Sequence, residues 1–170
     1  FGAQSCIPLV DKYDNLLVVQ TFSKSRAMAG MRIGFAIGSK KLIRYMQDAK
    51  FSFNSYTMNY PSLKLGVASV KDDKYFKTTV QRVINTREWT KLQLKELGFV
   101  FPDSMTNFIF AKHPEVPAKE LFEMLKKRKI YVRYFNKPRI DNFLRISIGT
   151  DEQMQKLIEC LKEYLEKKKA

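Results

Sequence analysis

The stretch LLVVQTFSKSRAMAGMRIGFAI, residues 16–37, decides how the chain is to be understood. It opens on the apolar run Leu16-Leu17-Val18-Val19, which reads as a buried strand. A polar cluster follows, Thr21-Phe22-Ser23-Lys24-Ser25, then the small-residue turn Ala27-Met28-Ala29-Gly30. Phe35-Ala36-Ile37 reads as a second strand ending at Gly38. A lysine just past a buried strand is placed for chemistry rather than solvation. Its amine becomes nucleophilic when desolvated or set beside another cation, and its typical partner is a carbonyl, giving a Schiff base. Thr21 and Ser23 bring hydroxyls to the same turn, and Arg32, eight positions after Lys24, adds a planar guanidinium suited to bidentate grip of a phosphate.

An aldehyde-capturing amine, hydroxyls and a phosphate-gripping arginine are what pyridoxal phosphate requires of a protein host. An isolated Ser-Lys pair in a basic chain reads as two surface residues. The specificity here lies in lysine, glycine, arginine and a second glycine falling in register between two strands.

The pattern S-K-x-x-x-x-A-G-x-R-x-G resembles the cofactor-lysine signature of the fold-type I aminotransferases. The whole chain is similar to the C-terminal part of the histidinol-phosphate aminotransferase family. The resemblance implies that Lys24 is the covalent partner of pyridoxal 5'-phosphate and that Thr21, Ser23 and Arg32 hold the cofactor phosphate. Arg26 stands where many relatives carry an apolar or aromatic residue, a departure that leaves this chemistry untouched. The resemblance also implies small-molecule substrates, an amino donor and a 2-oxo acid, and a homodimer.

Composition bounds the alternatives. The 170 residues suffice for one ordinary domain or two small ones. No run of about 18 apolar residues is present, so no membrane span is expected. Phe1-Gly2-Ala3-Gln4 does not open a secretory signal, and the start at Phe1, in mid-pattern, suggests a chain cut from something longer. Cys6 and Cys160 lie far apart and form no metal or redox motif; free thiols in a cytoplasmic protein are the expectation, with no metal site. The net charge of +14 invites a nucleic-acid reading. Much of it sits in Lys126-Lys127-Arg128-Lys129 and in Lys167-Lys168-Lys169, which read as solvated faces, and no nucleic-acid motif accompanies it. A positive field would equally steer an anionic substrate and cofactor.

In chain order, residues 2–15 suggest a short helical stretch and a turn. Ser39 can cap a helix carrying Leu42, Ile43 and Met46. Residues 51–61 form an aromatic and amide-rich connector whose Phe51 and Phe53 are expected to pack. The resemblance places this connector near a dimer interface and active-site mouth, which makes Asn54 and Tyr56 candidate substrate contacts. Residues 62–97 have helical spacing with a break near Lys71-Asp72-Asp73, a packing anchor at Trp89 and a stop at Gly98. Strands are expected at 106–111, 130–133 and 143–148, with helices from Pro117 and from the capping box Thr150-Asp-Glu-Gln153. His113, alone in a turn-like KHPEVP segment, reads as a surface residue.

Arg145 lies among the apolar alternates Leu144, Ile146 and Ile148, so its side chain shares a face with Phe143 and Ser147. The L-R-I-S-x-G match implies that Arg145 grips an anionic substrate group, the phosphate of histidinol phosphate or a carboxylate of glutamate. Arg133 matches a family arginine at the same end, and Asn107 is a further candidate. An edge-strand cation facing water is the plain alternative for Arg133 and also for Arg145.

The expected fold class is therefore α/β: the C-terminal part of the large cofactor-binding domain (1–60), interdomain helices (61–98) and a small α/β domain (99–170). The expected activity of the parent is amino transfer from histidinol phosphate to 2-oxoglutarate in histidine biosynthesis. An aminotransferase of aromatic or other amino acids, a related decarboxylase and a non-catalytic basic interaction fragment are the alternatives. The chain alone is expected to be inactive, because it lacks the segments that in the family protonate the cofactor ring and stack on it.

Overall fold

The computed structural model describes residues 1–169. The chain divides into two compact units, Ala3–Thr78 and a second made of Phe1–Gly2 with Thr79–Ala170.

In the first unit a 3-10 turn, Ile7–Leu9, precedes strand β1 (Leu17–Thr21), which pairs antiparallel with β2 (Gly34–Gly38) in the register Leu17↔Gly38 to Thr21↔Gly34. The expectation of a buried strand is corrected: Leu17 and Val18 are half-buried, and Val19, Gln20 and Thr21 are exposed. Two strands alone give β1 a partner on one edge and no full cover for either face. Helix α1 (Lys40–Phe53) starts at Ser39, whose hydroxyl accepts from the Leu42 amide at 3.4 Å. This helix runs through Phe51 and Phe53, so neither belongs to a packed connector; they are 59% and 94% exposed. Helix α2 (Tyr60–Lys71) is capped by Asn59, and Asp72 separates it from α3 (Asp73–Glu96), which places the expected break correctly.

The second unit holds the larger core. Helix α3 ends in a Schellman motif: Phe99 N–H donates to Leu94 O at 2.9 Å and Gly98 N–H to Lys95 O at 3.0 Å. Gly98 sits at φ +84, and a Cβ there would lie 3.3 Å from His113 Nε2. Strand β3 (Phe108–Ala111) is shorter than expected, helix α4 (Ala118–Lys127) begins after Pro117, and its first amide is capped across the chain by Asn142 Oδ1 at 3.0 Å. The strand expected at 130–133 forms one turn later as β4 (Arg133–Tyr134). Residues 129 and 130 are taken up instead by a second Schellman ending, with Ile130 N–H on Leu125 O and Lys129 in the left-handed region at φ 62. Strand β5 (Leu144–Ser147) lies between the other two in the antiparallel order β3-β5-β4.

Helix α5 (Asp151–Lys169) opens on a reciprocal capping box: Thr150 N–H donates to Gln153 Oε1 at 3.0 Å and Gln153 N–H to Thr150 Oγ1 at 3.3 Å. Met154, Leu157, Ile158, Leu161 and Leu165 are buried together with Ile109, Ala111, Leu121, Leu125, Leu144 and Ile146. One sheet face is thus closed by helices, and the alternate face carries Phe108, Phe110, Phe143 and Arg145. Trp89 retains 36% exposure and Leu92 60%, so Trp89 is no central anchor. Lys126 to Lys129, Lys167 and Lys168 are exposed.

Candidate functional site: a cofactor turn and an anion cleft

In the first unit, residues 21–33 fold into a loop that is tied to itself and to α2. Phe22 N–H donates to Ile33 O and Phe22 O accepts from Met28 N–H, each at 3.0 Å. Phe22 and Ile33 are the two buried apolar side chains of this unit, each 8% exposed. The Phe22 ring meets Phe35 edge-on at 6.1 Å. Gly66 on α2 admits Ile33 closely: a Cβ at that position would lie 3.0 Å from Ile33 Cδ1. Ser62, also buried on α2, donates its hydroxyl to Met31 O at 2.7 Å.

Arg26 completes the fastening. Its Nη1 donates to Ser69 O at 2.6 Å, and its guanidinium lies 4.1 Å above the Phe76 ring and 5.3 Å from Phe22. Arg26 is therefore structural, holding the turn that carries Lys24.

Lys24, Thr21 and Arg32 are exposed, and Ser23 is half-buried. Thr21 Oγ1 accepts from Ser23 N–H at 3.3 Å, which joins the two hydroxyl residues at the end of β1. Arg32 adopts the left-handed conformation, φ 54, and its Nη1 donates back to Ala29 O at 2.8 Å. A non-glycine residue at positive φ stores strain of about 1–3 kcal/mol, a feature that clusters at functional turns. No carboxylate pairs with Arg32 among the described residues. A guanidinium lacking a carboxylate counterion and two hydroxyls on one turn form a donor set whose chemistry fits a phosphate. Asn54 and Tyr56 lie just beyond α1; the Asn54 side chain accepts from Tyr56 N–H at 3.1 Å, a local turn, and the Tyr56 ring is 94% exposed.

In the second unit, Arg145 stands on the sheet face opposite the core, cross-strand from Phe110 on one side and from Arg133 on the other. Its guanidinium lies 4.6 Å from the Phe108 ring centre and 5.7 Å from that of Phe135, and Arg133 lies 5.6 Å from the same Phe135 ring. Like charges directly opposite on paired strands destabilise a sheet. Neither arginine is ion-paired among the described residues. A cleft of about 320 Å³ opens beside Arg145, lined also by Asp103, Thr106, Phe108 and Phe135. Two juxtaposed cations held on aromatic rings form a natural seat for an anion. Asn107 is half-buried, and its backbone carbonyl accepts from Ile148 N–H at 3.0 Å.

Sequence reasoning missed the two buried cations of α3. Arg87 and Lys91 are 3% and 8% exposed. Arg87 donates to Glu88, to Phe1 O at 3.0 Å and to Thr106 O at 3.1 Å. Lys91 Nζ reaches Glu88 at 2.8 Å and Asp103 at 2.5 Å. Burial pulls the Lys91 ammonium down, but its bonds to Asp103 and Glu88 outweigh this and hold it above the ordinary lysine value. The Lys91 hydrogen bond in turn holds both Glu88 and Asp103 below the usual carboxylate range. Spacing offered a signal, since Arg87, Lys91 and the core residue Leu94 share a helix face at i, i+4 and i+7.

His113 is corrected likewise. It is 4% exposed rather than a surface residue, its Nδ1 accepts from the Glu115 and Val116 amides at 3.2 Å, and its ring meets Phe99 edge-on at 5.2 Å. Among the described residues no group of three or more His, Cys, Asp or Glu is placed to hold a metal, and no helix is long and apolar enough to cross a membrane.

Known proteins resemble this chain in sequence and in fold. A histidinol-phosphate aminotransferase of Lactococcus lactis subsp. lactis is 52% identical over 167 residues, covering 98% of this chain and 46% of its own length. One from Brachyspira hyodysenteriae is 54% identical over 159 residues, covering 94% and 45%. The chain thus spans just under half the length of the curated relatives it matches. In three dimensions it superposes on the histidinol-phosphate aminotransferase of Sinorhizobium meliloti, solved in complex with pyridoxal-5'-phosphate, with a TM-score of 0.79 at 22% identity, covering 95% of this chain and 44% of that one. The family described as aminotransferase class I and II matches residues 1–161, nearly the whole chain, and this chain belongs to that pyridoxal-phosphate-dependent family.

Proposed function

We propose that the complete protein transfers an amino group from histidinol phosphate to 2-oxoglutarate in histidine biosynthesis, as a cytoplasmic homodimer. Support for the substrate comes from the names of relatives at about half identity and from the Arg133–Arg145 pair, whose adjoining charges suit a phosphate dianion. The two free thiols, Cys6 and Cys160, suit a reducing compartment.

The observation that carries the cofactor reading is the 21–33 loop, in which Lys24, two hydroxyls and Arg32 are presented on one fastened turn. Thr21, Ser23 and Arg32 would hold the cofactor phosphate, and Lys24 would hold its aldehyde carbon. The cofactor, when bound, supplies the electron sink that lets the substrate carbon lose a proton. Once the substrate amine has taken its place, the freed Lys24 Nζ would take up that proton and return it. Arg145, with its ring-stacked guanidinium, clamps the substrate anion and orients it, assisted by Arg133; Asn54, Tyr56 and Asn107 are further substrate contacts. Residues 1–60 belong on this reading to a large cofactor domain, 61–98 to interdomain helices and 99–170 to a small domain. Amino transfer belongs to a chain of the relatives' length, and the 170 residues alone keep cofactor capture at most.

The test begins with pyridoxal phosphate added to the 170-residue chain, followed by borohydride reduction and peptide mapping. The label is expected on the peptide containing Lys24, whereas a label spread evenly over many lysines overturns the assignment. A coupled assay with histidinol phosphate and 2-oxoglutarate on a chain of the relatives' length then tests the substrates, and absence of turnover with that pair overturns them.

A further inference from the structure

The Arg145 cleft has an acidic wall. Asp103 lines it together with Arg145, and an unrestrained carboxylate at that place would compete with an incoming anion for the guanidinium. The carboxylate is restrained from below. Lys91, buried on α3, reaches Asp103 at 2.5 Å, and its other bond, to Glu88, keeps the ammonium aligned. Arg87, equally buried, fixes the same loop by donating to Thr106 O. From there a ladder of short bonds runs to the strand under Arg145: Ser104 Oγ donates to Phe108 O at 2.6 Å, and Phe108 N–H donates to Thr106 Oγ1 at 3.1 Å. Lys95 and Arg87 add attraction on Asp103 from the same helix.

Burying two cations on one helix face is costly unless each is paired. Here the loop that forms the cleft wall supplies one partner to each, Asp103 to Lys91 and Thr106 O to Arg87, beside Glu88 on the helix itself. We propose that Lys91 is a positioning residue for substrate affinity: by holding the Asp103 carboxylate it keeps Arg145 available for an anionic substrate group. The proposal rests on the reading of Arg145 given above and adds a residue outside the cleft that sets its affinity.

Inorganic phosphate, titrated into the 170-residue chain by calorimetry with a melting curve on every variant, is the probe. Arg145→Gln is expected to abolish binding. Lys91→Met is expected to weaken it by roughly tenfold, within the range of couplings between neighbouring charged groups. Asp103→Asn alone should leave binding within about twofold of the parent, because the carboxylate it removes is already restrained by Lys91. The deciding variant is Lys91→Met/Asp103→Asn, which is expected to recover the parent affinity even though it restores no buried charge; lost packing would not be rescued this way. If methionine at this buried position prevents folding, Lys91→Gln takes its place, with the same loss and the same rescue expected. Loss without rescue, or no loss in a folded Lys91 variant while Arg145→Gln abolishes binding, overturns the proposal. A parent chain that does not bind phosphate, or an Arg145→Gln chain that binds it unchanged, overturns the reading of the cleft, and the proposal with it.

Discussion

The two units handle apolar surface in opposite ways. The second gathers sixteen buried residues from α3, β3, α4, β5, α5 and their connections into one cluster. The first buries Phe22 and Ile33 only, and leaves Leu63, Leu65, Val67 and Val70 on α2 between 49% and 56% exposed, with Phe53 and Tyr56 barer still. The second unit therefore has an ordinary hydrophobic reason to hold its shape. The first holds the turn that carries Lys24 largely by specific bonds: Arg26 to Ser69, Ser62 to Met31, and the Phe22–Ile33 backbone pair. A site can be organised locally even where burial is scant, provided its backbone groups are satisfied within the turn.

The contrast is broken most directly by truncation. Leu161→Ala, at a fully enclosed position, is expected to destabilise the second unit by about 2–5 kcal/mol, whereas Val67→Ala, on the open face of α2, should cost less than about 1 kcal/mol. Urea denaturation of both variants checks this, and similar costs would mean that the α2 face is covered in solution.

Chemistry should divide as cleanly as packing. In a chain of the relatives' length, Arg145→Lys is expected to weaken substrate use by about 2–4 kcal/mol, since lysine cannot reproduce the guanidinium fork. Cofactor absorbance should stay unchanged, because the function proposed above gives cofactor capture to the 21–33 turn. Unchanged kinetics with both substrates would make Arg145 a structural residue.

Arg26→Ala sharpens the view that bonds rather than burial hold the first unit. Losing its bond to Ser69 O and its seat on Phe76 should cost about 1–2 kcal/mol locally. The expected signature is faster hydrogen exchange at the Met28 amide with no change at the core strands, and an unmoved Met28 would show the turn to be held by other means.

Two smaller effects concern the second unit. Lys129→Gly, at φ 62 in the Schellman ending of α4, should stabilise by about 0.5–1 kcal/mol, because glycine carries no penalty in the left-handed region; a lower melting temperature would contradict it. Glu88 contributes to the acid limb. Its carboxyl is held below its ordinary value of 4.5 chiefly by the Lys91 hydrogen bond. Its contribution is therefore present above that value and is lost as the pH falls through the depressed folded value. Glu88→Gln should flatten the fall of melting temperature below pH 4.5 while lowering stability near neutrality, and an unchanged slope would remove Glu88 from the account.

Much of this was legible in the residues. The lysine-to-arginine register marked the turn, Ser39 and Thr150 marked helix starts, Gly98 marked a stop, and the apolar repeat of α5 predicted its buried stripe, because each depends on neighbours within one or two helical turns. The errors share a different cause. Val19 was expected inside and is out, since an apolar run does not reveal whether a third strand or a helix covers it. Phe51 and Phe53 read as core because aromatic rings are usually buried, while His113 read as surface although Phe99 and the amides of Glu115 and Val116 enclose it.

Sequence alone determined the chemistry on offer: an amine, hydroxyls and an arginine at fixed spacing, and an arginine on the polar face of an apolar strand. Only the tertiary structure decided that Arg26 fastens the turn to α2, that Arg133 faces Arg145 across a strand pair, and that two cations buried on α3 hold the wall of a cleft. Each of those joins residues distant in the chain, and the cost of burying a charge depends on a partner that no local pattern names.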